Sequence, residues 1–138
     1  MERLFMNDEQ PEPSPAERWY RLAQEDLAAA EVLLADSSTA LRIVGFLSQQ
    51  AAEKALKALL LAMEVVPPKI HSLRQLRNQL ATANRPTIDD DDLDLLDPWV
   101  IDGRYAADLP DVDTTEAGQL LIAAKRICEA VGPAIHGN

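Results

Sequence analysis

Four polar residues, Gln50, Glu53, Lys54 and Lys57, recur at i, i+3, i+4 and i+7, which places them on one strip of a helix. Such a strip offers amide and ammonium donors to an anionic ligand. It equally suits an ordinary helix pair, since Glu53 precedes Lys57 by four residues in the favourable order, worth about 0.3 kcal/mol, or a place at a subunit interface. His71 stands just before a helix start. There it can hold a phosphate, pair with a carboxylate, or pack with one ring nitrogen bonded to backbone. Arg104 and Tyr105 fall in a loop between helices, where a guanidinium fork and a stacked ring suit a nucleotide. Arg104 can instead pair with Asp102 or Asp108, with Tyr105 plugging the bundle end. Asp89 to Asp92, with Asp94 and Asp97, lack the Gly turn and distal Glu of a common calcium loop. They read as solvated acids at a helix start, and no metal site is expected. No Gly-rich phosphate loop, Gly-x-Ser-x-Gly elbow or His-Glu-x-x-His occurs.

The elements that must position these residues are helices. Ser14-Pro15-Ala16-Glu17 is a capping box with Pro at the first helical position, opening an amphipathic helix to about Asp36. Its inner members are Trp19, Leu22, Ala23, Leu27, Ala30 and Leu34, with Asp26 and Glu31 on the other side. Asp36 to Thr39 make a short turn, so the second helix runs antiparallel to the first. That helix, Leu41 to Met63, is the centre of the fold. Leu41, Ala52, Leu56, Leu59 and Met63 form one apolar stripe, and Ile43, Phe46, Leu47 and Leu61 flank the polar strip on the opposite half. A helix apolar on both halves is buried on one side and partly covered on the other, by a second element or a second subunit.

The central helix must stop before Pro67-Pro68. Ser72-Leu73-Arg74-Gln75 opens a third helix to about Ala83 with Leu73, Leu76 and Leu80 inward. A fourth helix from Thr87 or Asp89 brings Leu93, Leu96 and Val100 to the core, with Pro98 kinking it or restarting it under an Asp97 cap. Asp113-Thr114-Thr115-Glu116 opens the fifth, whose inner stripe is Leu120, Leu121, Ala124, Ile127, Cys128 and Val131, ending at Gly132-Pro133. No period-two alternation occurs. The expected fold is an all-α, up-and-down bundle of four to five helices over residues 14–135, after a flexible tail at 1–13.

Composition limits the function classes. The 138 residues are one domain's worth. A net charge of −10 and a pI near 4.5 provide no global basic field for nucleic acid or an anionic membrane, so RNA binding is unsupported by charge. One cysteine, Cys128, excludes an internal disulfide and a cysteine-based zinc cluster within the chain. With no membrane-length apolar run and no signal-like start, a cytoplasmic protein is expected.

The run QQAAEKALKALL (Gln49 to Leu60), the His71 opening the next helix in IHSLRQL, and the later Arg104-Tyr105 together resemble the HEPN domain family, from about Trp19 to about Val131. The resemblance implies a small helical bundle, often dimeric, in many cases encoded with a minimal nucleotidyltransferase and in some cases a ribonuclease. HEPN ribonucleases carry an Arg, four to six intervening residues, and a His. Here the positions that would follow Arg104 hold Leu109, Pro110 and Asp111. Those that would precede His71 hold Glu64, Val65 and Val66, and those before His136 hold Glu129, Ala130 and Val131. The motif is missing. The resemblance thus implies a homodimeric binding module, partner to a minimal nucleotidyltransferase in a toxin–antitoxin-like pair, with ATP or another nucleotide as ligand. Its candidate site is Gln50, Glu53, Lys54, Lys57, His71, Arg104 and Tyr105. A toxin-like ribonuclease with a composite site and a purely structural dimerisation module are the competing readings.

Overall fold

In the computed structural model, residues 11–36, 41–100 and 108–136 are described. They form an all-α bundle: α1 (Pro15–Ala35), α2 (Leu41–Ala62), α3 (Leu73–Arg77), α4 (Asp90–Leu96) and α5 (Thr114–His136), with short 3-10 turns at Thr82–Asn84 and Asp97–Trp99. Of the expected N-terminal tail, residues 1–10 lie outside the described residues.

Short-range signals set most of the helix ends. Ser14 Oγ accepts from the Glu17 backbone N–H at 3.0 Å while Glu17 returns its carboxylate to Ser14 N–H at 2.7 Å, closing the box that starts α1. Asp113 and Glu116 repeat this at α5, at 2.8 and 3.0 Å. The α2 terminus does not wait for the prolines. Val65 N–H reaches Leu60 O and Glu64 N–H reaches Leu61 O, with Glu64 left-handed at φ 61°. This is a Schellman ending, which satisfies the last carbonyls before Pro67 can intervene.

The pairs Asp26–Lys54 and Trp19–Lys57 run α1 and α2 in opposite directions. Tyr20 to the Cys128 carbonyl and Glu31 to Lys125 do the same for α1 and α5. Helices α2 and α5 are therefore parallel, and α3 and α4 carry the chain back along the bundle to the Arg42–Asp111 ion pair near the start of α2. Small buried residues of α2, Ala51, Ala52, Ala55 and Ala58, let α1 and α5 approach closely, while Gly45 admits the Trp99 ring. Leu56, Leu59 and Leu60 fill the centre with Leu73, Leu76, Leu93, Leu96 and Ile127, all fully buried. Helices α3 and α4 and the Asp97–Trp99 turn of the same chain cover part of α2, while Ile43 stays 39% exposed and Phe46, Leu47 and Leu61 half-buried.

Several expectations are corrected. Leu22 is 43% exposed and Tyr20 takes the inward position instead, because its hydroxyl finds the Cys128 carbonyl at 2.7 Å. Met63 is exposed beyond the helix end. Asp26 is not on the solvent side: it pairs with Lys54 at 2.6 Å across the α1–α2 seam. Helix α3 is five residues long rather than reaching Ala83, yet Leu73, Leu76 and Leu80 all point inward as expected. Helix α5 passes through Pro133 to His136. Losing one N–H there is offset by Ala134 and Ile135 packing on the core and by the edge contact of His136 with Tyr20 at 5.4 Å between ring centroids.

Asp97 does not cap its own turn. Its carboxylate accepts the Leu73 backbone N–H at 2.8 Å and so caps α3 across the fold, while burial pushes its pKa upward against that bond. Asp97→Ala should therefore lower unfolding free energy by about 1 kcal/mol, whereas Asp97→Asn keeps the acceptor and most of the stability. Urea denaturation of the two variants measures the difference.

The acidic run is largely solvated as expected, with Asp89, Asp90, Asp91 and Asp94 exposed and Asp92 the buried exception. Asp90 and Asp94 are tied to Arg74, with Arg77 on Asp90 at 2.7 Å, and Asp92 is buried against Arg126. Among the described residues, no His, Cys, Asp and Glu group has the arrangement of a metal centre.

Candidate functional site

Glu53 is the centre of the polar cluster. It points from the middle of α2 toward the segment that enters α3, and only 6% of its surface is exposed. Three donors meet its carboxylate. Gln49 Nε2 donates to Oε1 at 3.1 Å, Lys57 Nζ to Oε2 at 2.9 Å, and His71 Nδ1 lies 3.1 Å from Oε2 and 3.3 Å from Oε1. Burial raises the pKa of Glu53, but the hydrogen bonds from Lys57, Gln49 and His71 outweigh it, and the net shift is downward. The carboxylate is ionised at neutral pH and can only accept. His71 Nδ1 must then carry a proton, which fixes the ring's orientation.

The cluster extends along the helix by four-residue steps. Gln50 Nε2 donates to Gln49 Oε1 at 2.8 Å, and Gln49 also reaches the His71 carbonyl at 3.5 Å. Lys57 continues outward until its ammonium stands 5.7 Å from the centroid of the Trp19 ring, within cation–π range. Lys54 is held separately by Asp26.

Of the expected site residues, the structure brings Gln50, Glu53, Lys57 and His71 into one hydrogen-bonded group, with Lys54 one step aside. Arg104 and Tyr105 lie outside the described residues. For His71 the carboxylate pairing is the one observed, and the Glu53–Lys57 helix pair is present as part of a larger group. Sequence reasoning missed Gln49, which is fully buried, and Trp19 as a neighbour of Lys57. A signal for Gln49 existed: Gln49, Glu53 and Lys57 repeat at i, i+4, i+8 on a helix otherwise rich in Leu and Ala, which marks a buried polar ladder.

Both carboxylate oxygens of Glu53 are engaged, so the residue is placed to hold α2 against the α2–α3 connection rather than to accept a proton from a substrate. Cys128, the sole cysteine, is also no nucleophile: burial pushes its thiol up to about 12.

A family model described as HEPN domain matches residues 16–134. The chain belongs to the HEPN domain family. Its bundle is similar to the crystal structure of ST0689, an archaeal HEPN homologue, with a TM-score of 0.67 and 27% identity over 88% of this chain and 98% of that one. It is also similar to the crystal structure of TT1696 from Thermus thermophilus, with a TM-score of 0.71 and 28% identity over 86% of this chain and 97% of that one. No curated protein matches the chain. In this HEPN bundle the polar ladder lies on α2, the helix that touches every other helix. Among the described residues, no helix is long and apolar enough to cross a membrane.

Proposed function

We propose that this HEPN protein is a binding module and not a nuclease: a cytoplasmic homodimer that takes a nucleotide such as ATP and partners a minimal nucleotidyltransferase in a toxin–antitoxin-like pair. The observation that carries the reading is the engagement of His71. Its Nδ1 is committed to the buried Glu53, and neither His71 nor His136 has an Arg at the spacing of HEPN ribonucleases. An RNA-cleaving site needs a base and an acid positioned on the ribose and phosphate. Here the histidine on the polar face serves to join helices. A surface that is free of catalytic duty, in a protein of charge −10, suits a protein partner or a small ligand better than long RNA.

The test is incubation of the pure protein with mixed cellular RNA, with and without Mg2+, beside Arg104→Ala and His71→Ala. No sample should show cleavage. Light scattering should give about twice the 15.2 kDa chain mass, titration with ATP should give saturable heat, and a co-encoded nucleotidyltransferase should be retained in a pull-down. RNA cleavage lost in both variants would overturn the reading in favour of a composite nuclease. A dimer silent toward both ATP and the transferase would leave only a structural dimerisation module.

A further inference from the structure

A shallow groove of about 260 Å³ opens where α1 passes the α2–α3 connection, lined by Trp19, Lys57, Leu61, Pro67, Pro68 and Lys69. It adjoins the Glu53 cluster through Lys57, which bonds to that carboxylate on one side and faces the indole of Trp19 on the other. Its walls are rigid. Pro67-Pro68 has fixed φ angles and two flat apolar rings, and Trp19 is half-buried against the core. Binding here would order little that is not already ordered.

The chain has four lysines, and three of them are tied to carboxylates: Lys54 to Asp26, Lys57 to Glu53 and Lys125 to Glu31. Lys69, on the rim of this groove, has no carboxylate partner among the described residues and is exposed. Lys57 keeps donor capacity as well, because an ammonium has three N–H groups and Glu53 takes one direction only. The groove therefore combines an aromatic and prolyl surface with two ammonium groups, in a protein that is otherwise strongly acidic.

We infer that this groove is the nucleotide site, with a single base against Trp19 and the Pro67-Pro68 wall and its phosphate between Lys57 and Lys69. The inference rests on the nucleotide-binding reading above and gives it a location. Small-molecule sites run from about 300 Å³ upward, so a groove of about 260 Å³ takes one ring system, with phosphate at the open rim. Base–aromatic stacking tolerates any base, so selection among nucleobases is expected to be weak.

The test uses the full chain, with AMP, adenosine and inorganic phosphate titrated separately by calorimetry and by tryptophan fluorescence. Trp99 is 4% exposed, so Trp19 is the tryptophan a ligand can report on. AMP should bind more tightly than adenosine or phosphate alone and should change the fluorescence. Lys69→Glu, an exposed substitution that leaves the core untouched, should weaken AMP by at least about fivefold. Trp19→Phe should abolish most of the fluorescence response. If AMP binds wild type, Lys69→Glu and Trp19→Phe equally, the nucleotide sits elsewhere: this site falls and the nucleotide-binding reading stands. If neither AMP nor ATP binds wild type, both fall.

Discussion

Glu53→Ala should lower the free energy of unfolding by about 3 kcal/mol, the lower end of what is lost when one member of a buried ionic group is removed. The lower end applies because the side chain of Lys57 is 14% exposed and that of His71 41% exposed, so both can turn toward water once the carboxylate is gone. Gln49 cannot, being fully buried, and its amide would be left without the Glu53 acceptor. Glu53→Gln preserves shape and one acceptor oxygen, and should cost about 1 kcal/mol. Equilibrium urea unfolding at pH 7 separates the two. A loss below about 0.5 kcal/mol for Glu53→Ala would show the cluster to be an ordinary surface pair.

The same residue predicts a pH dependence. A carboxylate with a folded-state pKa below its unfolded value stabilises the native protein above the unfolded value. That contribution disappears as pH falls through the folded one. For Glu53 the ordinary value is 4.5 and the shift is downward, so its contribution should be complete at neutral pH and be lost below about pH 4.5. Glu17, held low chiefly by the Ser14 backbone and side-chain hydrogen bonds, and Asp90, held low chiefly by Arg77 and Arg74, titrate in the same window. The diagnostic is therefore the difference between wild type and Glu53→Gln, which should shrink as the solution is acidified from about pH 5 toward about pH 3.

Gly45→Ala should destabilise the protein by about 2 kcal/mol, although Ala is the better helix former by about 1 kcal/mol. A Cβ at Gly45 would lie 2.6 to 2.8 Å from three ring carbons of Trp99, and that ring is 4% exposed and has nowhere to go. The Asp97–Trp99 turn is pressed onto α2 here, with the Trp99 ring against Gly45. Gly118→Ala on α5 is the control, since its Cβ would meet only Leu34 Cδ2 at 4.0 Å, an ordinary contact. It should stabilise by about 0.5 kcal/mol. Thermal melts of the two single variants should shift in opposite directions. In Gly45→Ala/Trp99→Leu, where the ring is absent, the cost of the added methyl should largely vanish. Equal and positive shifts for both glycines would mean that Trp99 does not pack on α2 in solution.

The sequence by itself determined what is written over a few consecutive residues. The capping boxes at Ser14 and Asp113 close within one turn, and Leu120, Leu121, Ala124, Ile127, Cys128 and Val131 share a face because 3.6 residues make a turn. The long apolar period of α2 named the central helix, and its motif run named the family. Local signals failed where a long-range contact outweighed them: Pro133 sits inside α5 because the residues after it pack on the core.

The tertiary structure alone decided which polar residues meet. Gln49, Glu53 and Lys57 are legible as a ladder along one helix, but His71 joins them only because the chain returns from Pro67-Pro68 across that face of α2. Asp97 caps a helix 24 positions before it, Asp26 finds Lys54 28 positions on, and Trp99 settles on Gly45. Each of these contacts depends on which faces of two elements are brought together, and no periodicity within one element encodes that. Burial then decides the chemistry: the same Glu–Lys spacing that is a weak pair on a solvated helix becomes, once α3 covers it, an ionised carboxylate held by three donors.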